Sequence, residues 1–382
     1  MQGEDTRLPG LPRYVRINTL KLGAKAADRA LLESGYRRAA DAADAGKRSY
    51  HCDEDVPDLL VFKPKGKSDI SRLPLVATGE VVVQQKASCF PALALAPPPG
   101  AVVIDGCAAP GNKTSHLAML MENRGRVLAF DMNERRCALL RERMALKGAS
   151  IVSARHASFL SAAPADPEYA GVTHVLLDPS CSSSGMSLDP ITEPAALAEL
   201  ASNQRALLLH AMAFPGVTAI VYSTCSVNEA ENEMVVAAVL QAQADAPPER
   251  RFRLVPALPA WHRRGHRCAA ISGAARREEV AACCVRTLYP DDGTIGFFVA
   301  RFEREAAAPP PPSDALLHKL KKLGRERAKR GRRARGAAAA PPEPGAGGEA
   351  EATAAAQPAP RPVPDWRRER DERKKRQRGT KA

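Results

Sequence analysis

Two apolar runs in this chain end in the same unusual way. "HVLLDPSCSSSGM" (174–186) leaves its run at Asp178-Pro179 and delivers Cys181 into a string of serines, and 44 residues later "AIVYSTCS" (219–226) delivers Cys225. A single cysteine is most often a small buried hydrophobe. Two at the ends of apolar runs, one beside a carboxylate, suit nucleophilic chemistry. A thiol ionises near pH 8.5 and more readily beside a cation or a helix terminus, and a thiolate adds to an electron-poor carbon to form a covalent intermediate. The residues alone do not say which cysteine attacks. Cys52, Cys89, Cys137, Cys268, Cys283 and Cys284 lack such a setting and read as packing residues. The eight histidines form no cluster, so a histidine-based mechanism is not expected. No cysteine or histidine pairs stand at zinc-ligand spacing, so no metal is expected.

A third stretch offers a ligand loop. "VVIDGCAAPGNKTSHLA" (102–118) ends an apolar run at Asp105, turns between Gly106 and Gly111 and opens a helical pattern. A helix N-terminus favours an anion or a polar ligand. Two ligands compete for it. A phosphate is the first, because Gly106, four residues, Gly111 and then Lys113-Thr114 approximate the G-x-x-x-x-G-K-T loop of nucleotide hydrolases, with "HVLLD" as its metal-binding strand. Asn112, however, intrudes before the lysine and shifts the ammonium out of register, and the charge of Asp105 repels a phosphate. S-adenosylmethionine is the second. Its methionine end carries an ammonium and a carboxylate, which suits an acidic strand end beside free amides. Its ribose hydroxyls want a carboxylate at the end of the next strand, roughly 20 residues on. "VLAFDM" supplies Asp131, 26 residues after Asp105. The second ligand fits better, and a methyltransferase is expected.

These residues need a scaffold. Residues 101–305 alternate apolar runs with helical patterns: strands at 101–106, 125–132, 150–159, 174–179 and 219–225, helices at 112–123, 133–148, 195–214 and 228–243, and a late strand at 294–304 with no helix after it. The helix at 133 has Asn133 as its N-cap and Gly148 as its stop. Such alternation implies a mostly parallel sheet with helices on both faces, which binds ligands outside the carboxyl ends of its strands. Asp105, Asp131, Asp178, Cys181 and Cys225 all stand at those ends, so the two cysteines are expected to face one crevice. Ahead of this domain, residues 1–100 read as a small α+β module, with a strand at 13–21 and a helix at 26–38.

The chain has 382 residues and a net charge of +13, unevenly placed. Residues 306–382 hold 20 of the 56 basic and 9 of the 43 acidic residues, which leaves the first 305 residues near neutrality at +2. That tail is rich in alanine, proline and arginine and reads as disordered. Its basic blocks, "KLKKLGRERAKRGRRAR" (319–335) and "RRERDERKKRQRG" (367–379), read as a nucleic-acid anchor and a nuclear or nucleolar address. No signal peptide is visible, and no apolar run reaches the roughly 18 residues of a membrane helix. The nine cysteines are odd in number and scattered, as expected of thiols in a reducing compartment.

"DGCAAPGNKTSHLA", "LLDPSCSSSGM" and "VYSTCSVNEAENEMVV" resemble, in order, the signature segments of the Sun-type (Nop/Sun) RNA cytosine-5 methyltransferases. "DPSCS" and "RYVRINTLK" (13–21) look closest to the branch that modifies large-subunit ribosomal RNA, and the resemblance runs from about Pro12 to Arg304. It implies a Rossmann-like S-adenosylmethionine-dependent methyltransferase fold at 101–305, an RNA-binding module at 1–100 and a disordered basic tail at 306–382. By the same resemblance Cys107, Ala108, Ala109, Pro110, Gly111, Asn112 and Lys113 form the cofactor loop. Asp131 holds the ribose with Arg136 beside it, and Asp178 touches the target base with Lys113 nearby. Cys225 is the nucleophile, and Cys181 helps release the product. The implied substrate is RNA, in large-subunit rRNA or the pre-ribosome, and the implied place is the nucleolus; a monomer is expected. Three departures stand out. Ser158 replaces a carboxylate near the adenine. Ser182-Ser183 replaces Ser-Gly, which is expected to strain a turn needing glycine. The branch also carries an N-terminal helical region, whereas this sequence begins almost at the core, from which weaker RNA affinity is expected. A P-loop-like hydrolase, or a ribosome-assembly factor that keeps the fold without the activity, is the rival reading.

Overall fold

The computed structural model describes residues 8, 10–46, 48–63, 70–187, 191, 193–306 and 311–338. Residues up to Arg332 form one compact unit; of the second, Arg333–Ala382, only the continuation of a helix to Ala338 is described.

The first sheet has five short strands, β1 (Arg13–Ile17), β2 (Arg37–Arg38), β3 (Ser49–Cys52), β4 (Leu59–Phe62) and β5 (Val81–Val83), in the order β2-β3-β4-β1-β5. Successive side chains of a strand point to opposite faces, and the faces have different fates. Val15, Ile17, Leu60 and Phe62 pack under helices α1 (Ala24–Glu33) and α2 (Pro74–Ala77). Tyr14, Leu59 and Val61 join the core of the rest of the molecule.

The second sheet runs β11-β13-β10-β9-β6-β7-β8, with β12 paired to β13. Its parallel strands are β6 (Val102–Asp105), β7 (Arg126–Asp131), β8 (Val152–His156), β9 (Val172–Leu177) and β10 (Ala219–Thr224). Strands β11 (Phe252–Val255), β12 (Val285–Thr287) and β13 (Phe297–Arg304) pair antiparallel. Buried on both faces, the central strands are continuous apolar runs. Val103, Leu176, Val221 and Val299 face the core that holds α3 (Lys86–Leu95) and α4 (Asn112–Leu120). Their neighbours Ile104, Leu177, Tyr222 and Phe298 face the core under α6 (Pro194–Met212) and α7 (Glu233–Ala242). Helix α5 (Glu134–Leu146) opens on Asn133, whose Oδ1 accepts the Arg136 amide at 3.0 Å; α8 (Ala274–Cys283) precedes β12. The chain winds outward from β6 through β7 to β8, then returns to place β9 on the other side of β6. That reversal is a switch point, where the carboxyl ends open a crevice.

Two regions differ from expectation. All ten residues of α3 are buried, and the helix packs on α4, β9, β10 and β13, so residues 86–95 belong with the second sheet, while Lys86 pairs back to Asp53 and Asp55 of the small module. The tail expected to be disordered begins with a helix, α9 (Asp314–Ala338). Its sequence is rich in Leu, Lys, Arg and Ala, strong helix formers, and Leu316 is buried against the core. The basic block at 367–379 lies outside the described residues.

Candidate active site

Parallel pairing places Tyr222 of β10 opposite Leu177 of β9, so both strands finish at one level. The loops that follow bring Cys181 and Cys225 together, with their sulfurs 3.3 Å apart. Asp178 stands beside them. Its Oδ1 accepts the Ser223 hydroxyl at 2.6 Å, and its Oδ2 pairs with Lys113 Nζ at 2.8 Å. Lys113 comes from the first turn of α4, donates to Ser88 Oγ of α3 at 3.2 Å, and lies 5.4 Å from the Phe297 ring centroid. Four side chains from three segments thus converge at the carboxyl edge of the sheet.

The two thiols are electrostatically unequal. The hydrogen bond between them favours ionisation of Cys225: Cys181 donates, and the Cys225 pKa falls below the ordinary thiol value even though burial and Asp178 oppose ionisation. The hydroxyl of Ser183, 3.6 Å away, and the charge of Lys113 help. The same bond, and then burial, push Cys181 up. Two groups this close release protons as a pair, and the bond between them favours the anion on Cys225 and the proton on Cys181.

Glu231, a residue the sequence reading passed over, holds both loops. It is fully buried. Its carboxylate accepts the Ser182 amide at 2.9 Å and the hydroxyls of Ser182 and Ser226 at 2.6 Å each. Gln204 and Asn228 donate to it as well. Ser182 and Ser226 are the residues that follow Cys181 and Cys225, so one anion fixes the spacing of the thiols. The available signal was the serine after each cysteine, since two buried hydroxyls require an acceptor. Next to this clamp, Gly185 donates to the Cys225 carbonyl at 2.9 Å and accepts the Gly296 amide at 2.9 Å. A Cβ on Gly185 would stand 2.0 Å from the Gly296 oxygen, so only glycine fits there. The strain expected at Ser182-Ser183 falls on Ser183, whose φ is +54°.

The cofactor-loop residues surround the end of β6. Gly111 takes φ +96°, and a side chain there would meet Leu140 and Met144 within 2.7 Å. Two loop amides are used internally: Ala108 donates to the Phe130 carbonyl and Gly111 to that of Ala108, both at 2.8 Å. Asn112 Oδ1 accepts Lys147 Nζ at 3.1 Å. Cys107 is half-buried, and burial raises its pKa. Asp131 Oδ1 accepts the Asn133 amide at 2.9 Å, and its Oδ2 lies 3.2 Å from Arg136, which also donates to the Ala109 carbonyl at 2.8 Å. Ser158 caps a 3-10 turn, its hydroxyl accepting the Leu160 amide at 3.3 Å. Asp105 is the informative residue. Its Oδ2 accepts Thr114 Oγ1 at 2.8 Å, but its Oδ1 is buried without a hydrogen-bond partner. Burial lifts its pKa to about 7. An unpartnered buried carboxylate oxygen fits the ammonium of an amino-acid ligand. It does not fit a phosphate, and Lys113 is already engaged with Asp178. No groups of three or more Asp, Glu, His or Cys able to hold a metal ion occur among the described residues.

A mostly parallel sheet carries a glycine-rich loop after its first strand and two thiols after its fourth and fifth, the arrangement that the resemblance to the Sun-type methyltransferases implies. Residues 92–303, more than half of the chain, match the family described as 16S rRNA methyltransferase RsmB/F, and the chain belongs to that family. Residues 11–84 match the ferredoxin-like domain of NOL1/NOP2/Sun domain family member 5. Among curated relatives, the mouse 28S rRNA (cytosine-C(5))-methyltransferase is 38% identical over 79% of this chain and 64% of its own length. The Arabidopsis thaliana 25S rRNA (cytosine-C(5))-methyltransferase NSUN5 is 38% identical over 80% of this chain and 51% of its own. The chain thus spans between half and two thirds of these proteins. A methyltransferase homologue from Pyrococcus horikoshii superposes with a TM-score of 0.61 at 27% identity, over 77% of this chain and 87% of that one.

Proposed function

We propose that this protein transfers a methyl group from S-adenosylmethionine to carbon 5 of a cytosine in RNA. The substrate is large-subunit rRNA, as the names of the relatives suggest, and the basic blocks of the tail support a meeting with it in the pre-ribosome within the nucleolus. The observation that carries the reading is the contact between the two unequal thiols, with Cys225 the readier to ionise and the Asp178–Lys113 pair beside it.

The target base must leave its stack to reach the crevice. The Cys225 thiolate adds to carbon 6 and turns carbon 5 into a nucleophile. Asp178 and Lys113 face the polar edge of the ring and steady the charge that develops there. When bound, the cofactor supplies an electrophilic methyl group. Asp105 takes its ammonium, Asp131 with Arg136 its ribose, and the Cys107–Lys113 loop and Ser158 enclose the rest. After transfer, carbon 5 must lose its proton; the electrons of that carbon–hydrogen bond rebuild the double bond between carbons 5 and 6, and the Cys225 sulfur leaves with the pair of its bond to carbon 6. The hydrogen bond and charge that keep Cys181 protonated come first from Cys225. Once the Cys225 charge is spent in a bond, both influences vanish and the Cys181 pKa falls; the thiol can then pass its own proton to water, and the thiolate left behind takes the carbon-5 proton, directly or through water. The small N-terminal module, of which residues 11–84 match a ferredoxin-like domain, holds the RNA.

Incubating the purified protein with unmodified rRNA and methyl-labelled cofactor tests the reading. Label should appear in RNA, and bisulfite sequencing of rRNA with and without the gene should then locate one protected cytosine. RNA without label would point instead to an assembly factor that keeps the fold.

A further inference from the structure

Helix α9 carries cations on two faces with different surroundings. Leu316, Lys319, Leu323, Arg327 and Arg330 recur at intervals of three and four, which places them on one face. Leu316 is buried. Lys319 pairs with Asp58, Arg327 with Asp55 and Arg330 with Glu54. Arg327 and Arg330 also donate to the carbonyls of Ala260 and Ala40. Asp55 is shared with Lys86, which bonds Asp53 at 2.9 Å as well. The acidic loop at 53–58 therefore neutralises three α9 cations and fixes the helix on the small module. Glu326 belongs to the same side, lining a cleft of about 220 Å³ with Arg38 and Glu54.

Lys321, Lys322, Arg325 and Lys329 occupy the remaining face and are all exposed. No carboxylate of the described residues forms an ion pair with any of them. Lys321, Arg325 and Lys329 follow one another at four-residue steps, about 6 Å along the axis. Within α9, the described acids are Asp314 at its start and Glu326 on the docked side. The outer face is thus a rigid stripe of one sign. A basic stripe with no partner of its own fits a polyanion.

We propose that this outer stripe of α9 binds the phosphodiester backbone of the RNA, and that the acidic loop at 53–58 serves as its mount. The proposal rests on the reading of the protein as an RNA methyltransferase and adds the surface that grips the substrate outside the crevice. Among the described side chains of α9 the outer cations make this contact, because the inner ones are neutralised within the protein.

Titrating a fluorescent single-stranded rRNA fragment with the full chain between 50 and 200 mM KCl tests this. Each phosphate contact to a single strand contributes about 0.7 to the slope of log K against log salt. The quadruple variant Lys321→Gln, Lys322→Gln, Arg325→Gln, Lys329→Gln should lower that slope by about 3. Arg327→Gln removes one charge, from the docked face, and should leave the slope within about 0.3 of wild type. If RNA binding persists and the quadruple variant keeps the wild-type slope, the stripe is no RNA surface, and an acidic protein becomes its fitting partner. An equal loss per charge from Arg327→Gln would also overturn the proposal, since net charge alone would then explain binding. A wild-type protein that labels RNA yet shows no salt-dependent affinity would sink the stripe alone; one that neither binds nor labels RNA would sink the enzyme reading with it.

Discussion

Cys225 and Cys181 make opposite demands on a single experiment. Cys225→Ala removes the nucleophile, so no covalent RNA adduct should form. Cys181→Ala leaves attack and methyl transfer possible but removes the group placed to finish the reaction, so product should accumulate on Cys225 as a slow band on a denaturing gel. Two merely structural cysteines would give no band in either variant, and a band in Cys225→Ala alone would exchange their roles. Asp105 yields a pH prediction. Its folded pKa of about 7 lies above that of an unfolded aspartate, so between about pH 4 and 7 the folded state binds more protons. Its contribution to stability is therefore full at low pH and lost as the pH rises through 7. In thermal melts without cofactor, Asp105→Asn should remove this part of the decline; parallel profiles for the two proteins would count against it. Asp131→Ala should weaken cofactor binding by about 1.5–3 kcal/mol, the worth of a charged hydrogen bond, as read by calorimetry. The cysteines, Asp105 and Asp131 were legible because each terminates an apolar run. Glu231 was not, because its meaning lies in partners 49 and 5 residues away that only the fold assembles.

Among the elements, legibility followed length and burial. The parallel strands β6 to β10 could be read within a few residues because a strand covered on both faces must be apolar throughout. Strands β2 to β5 span two to four residues each, too short for a period to show. Helix α3 opens on Lys86 and contains Pro91, signals that argue against the fully buried helix it forms. Helix α9 has the composition of a solvated tail, and the acids that dock it lie some 260 to 280 residues upstream, so nothing in its local sequence shows the docking. The two cysteine loops depend on one buried anion, and that can be tested. Glu231→Ala takes the shared acceptor from two buried hydroxyls and an amide, at about 1–3 kcal/mol for each group left unsatisfied. Urea unfolding should show the loss, and adduct formation should fall with it. Glu231→Gln keeps an acceptor and should recover part of both. Ser183→Gly relieves a left-handed residue that costs roughly 1–2 kcal/mol, offset by the backbone entropy of glycine. Its stability should match or exceed wild type by up to about 1 kcal/mol.

At the scale of the molecule, the small module and the methyltransferase sheet share more than a boundary. Arg16 of β1 is completely buried, and burial brings its pKa down to about 10. It donates to Gln84 at 2.9 Å, to Ser115 in α4 at 3.0 Å and to the Asn112 carbonyl at 3.4 Å. Asn18, just beyond the strand, reaches the Gly79 and Lys147 carbonyls at 2.8 and 2.7 Å. Pulling the two parts apart would break these hydrogen bonds together and expose to water the apolar surface that Tyr14, Leu59 and Val61 bury against the rest of the molecule. The consequence concerns how the protein melts. A module of this size with its own sheet would ordinarily unfold as a separate step. Here one seam makes neither half stable without the other, so differential scanning calorimetry of the unit ending at Arg332 should show a single endotherm whose calorimetric and van't Hoff enthalpies agree. Arg16→Met should split it into two.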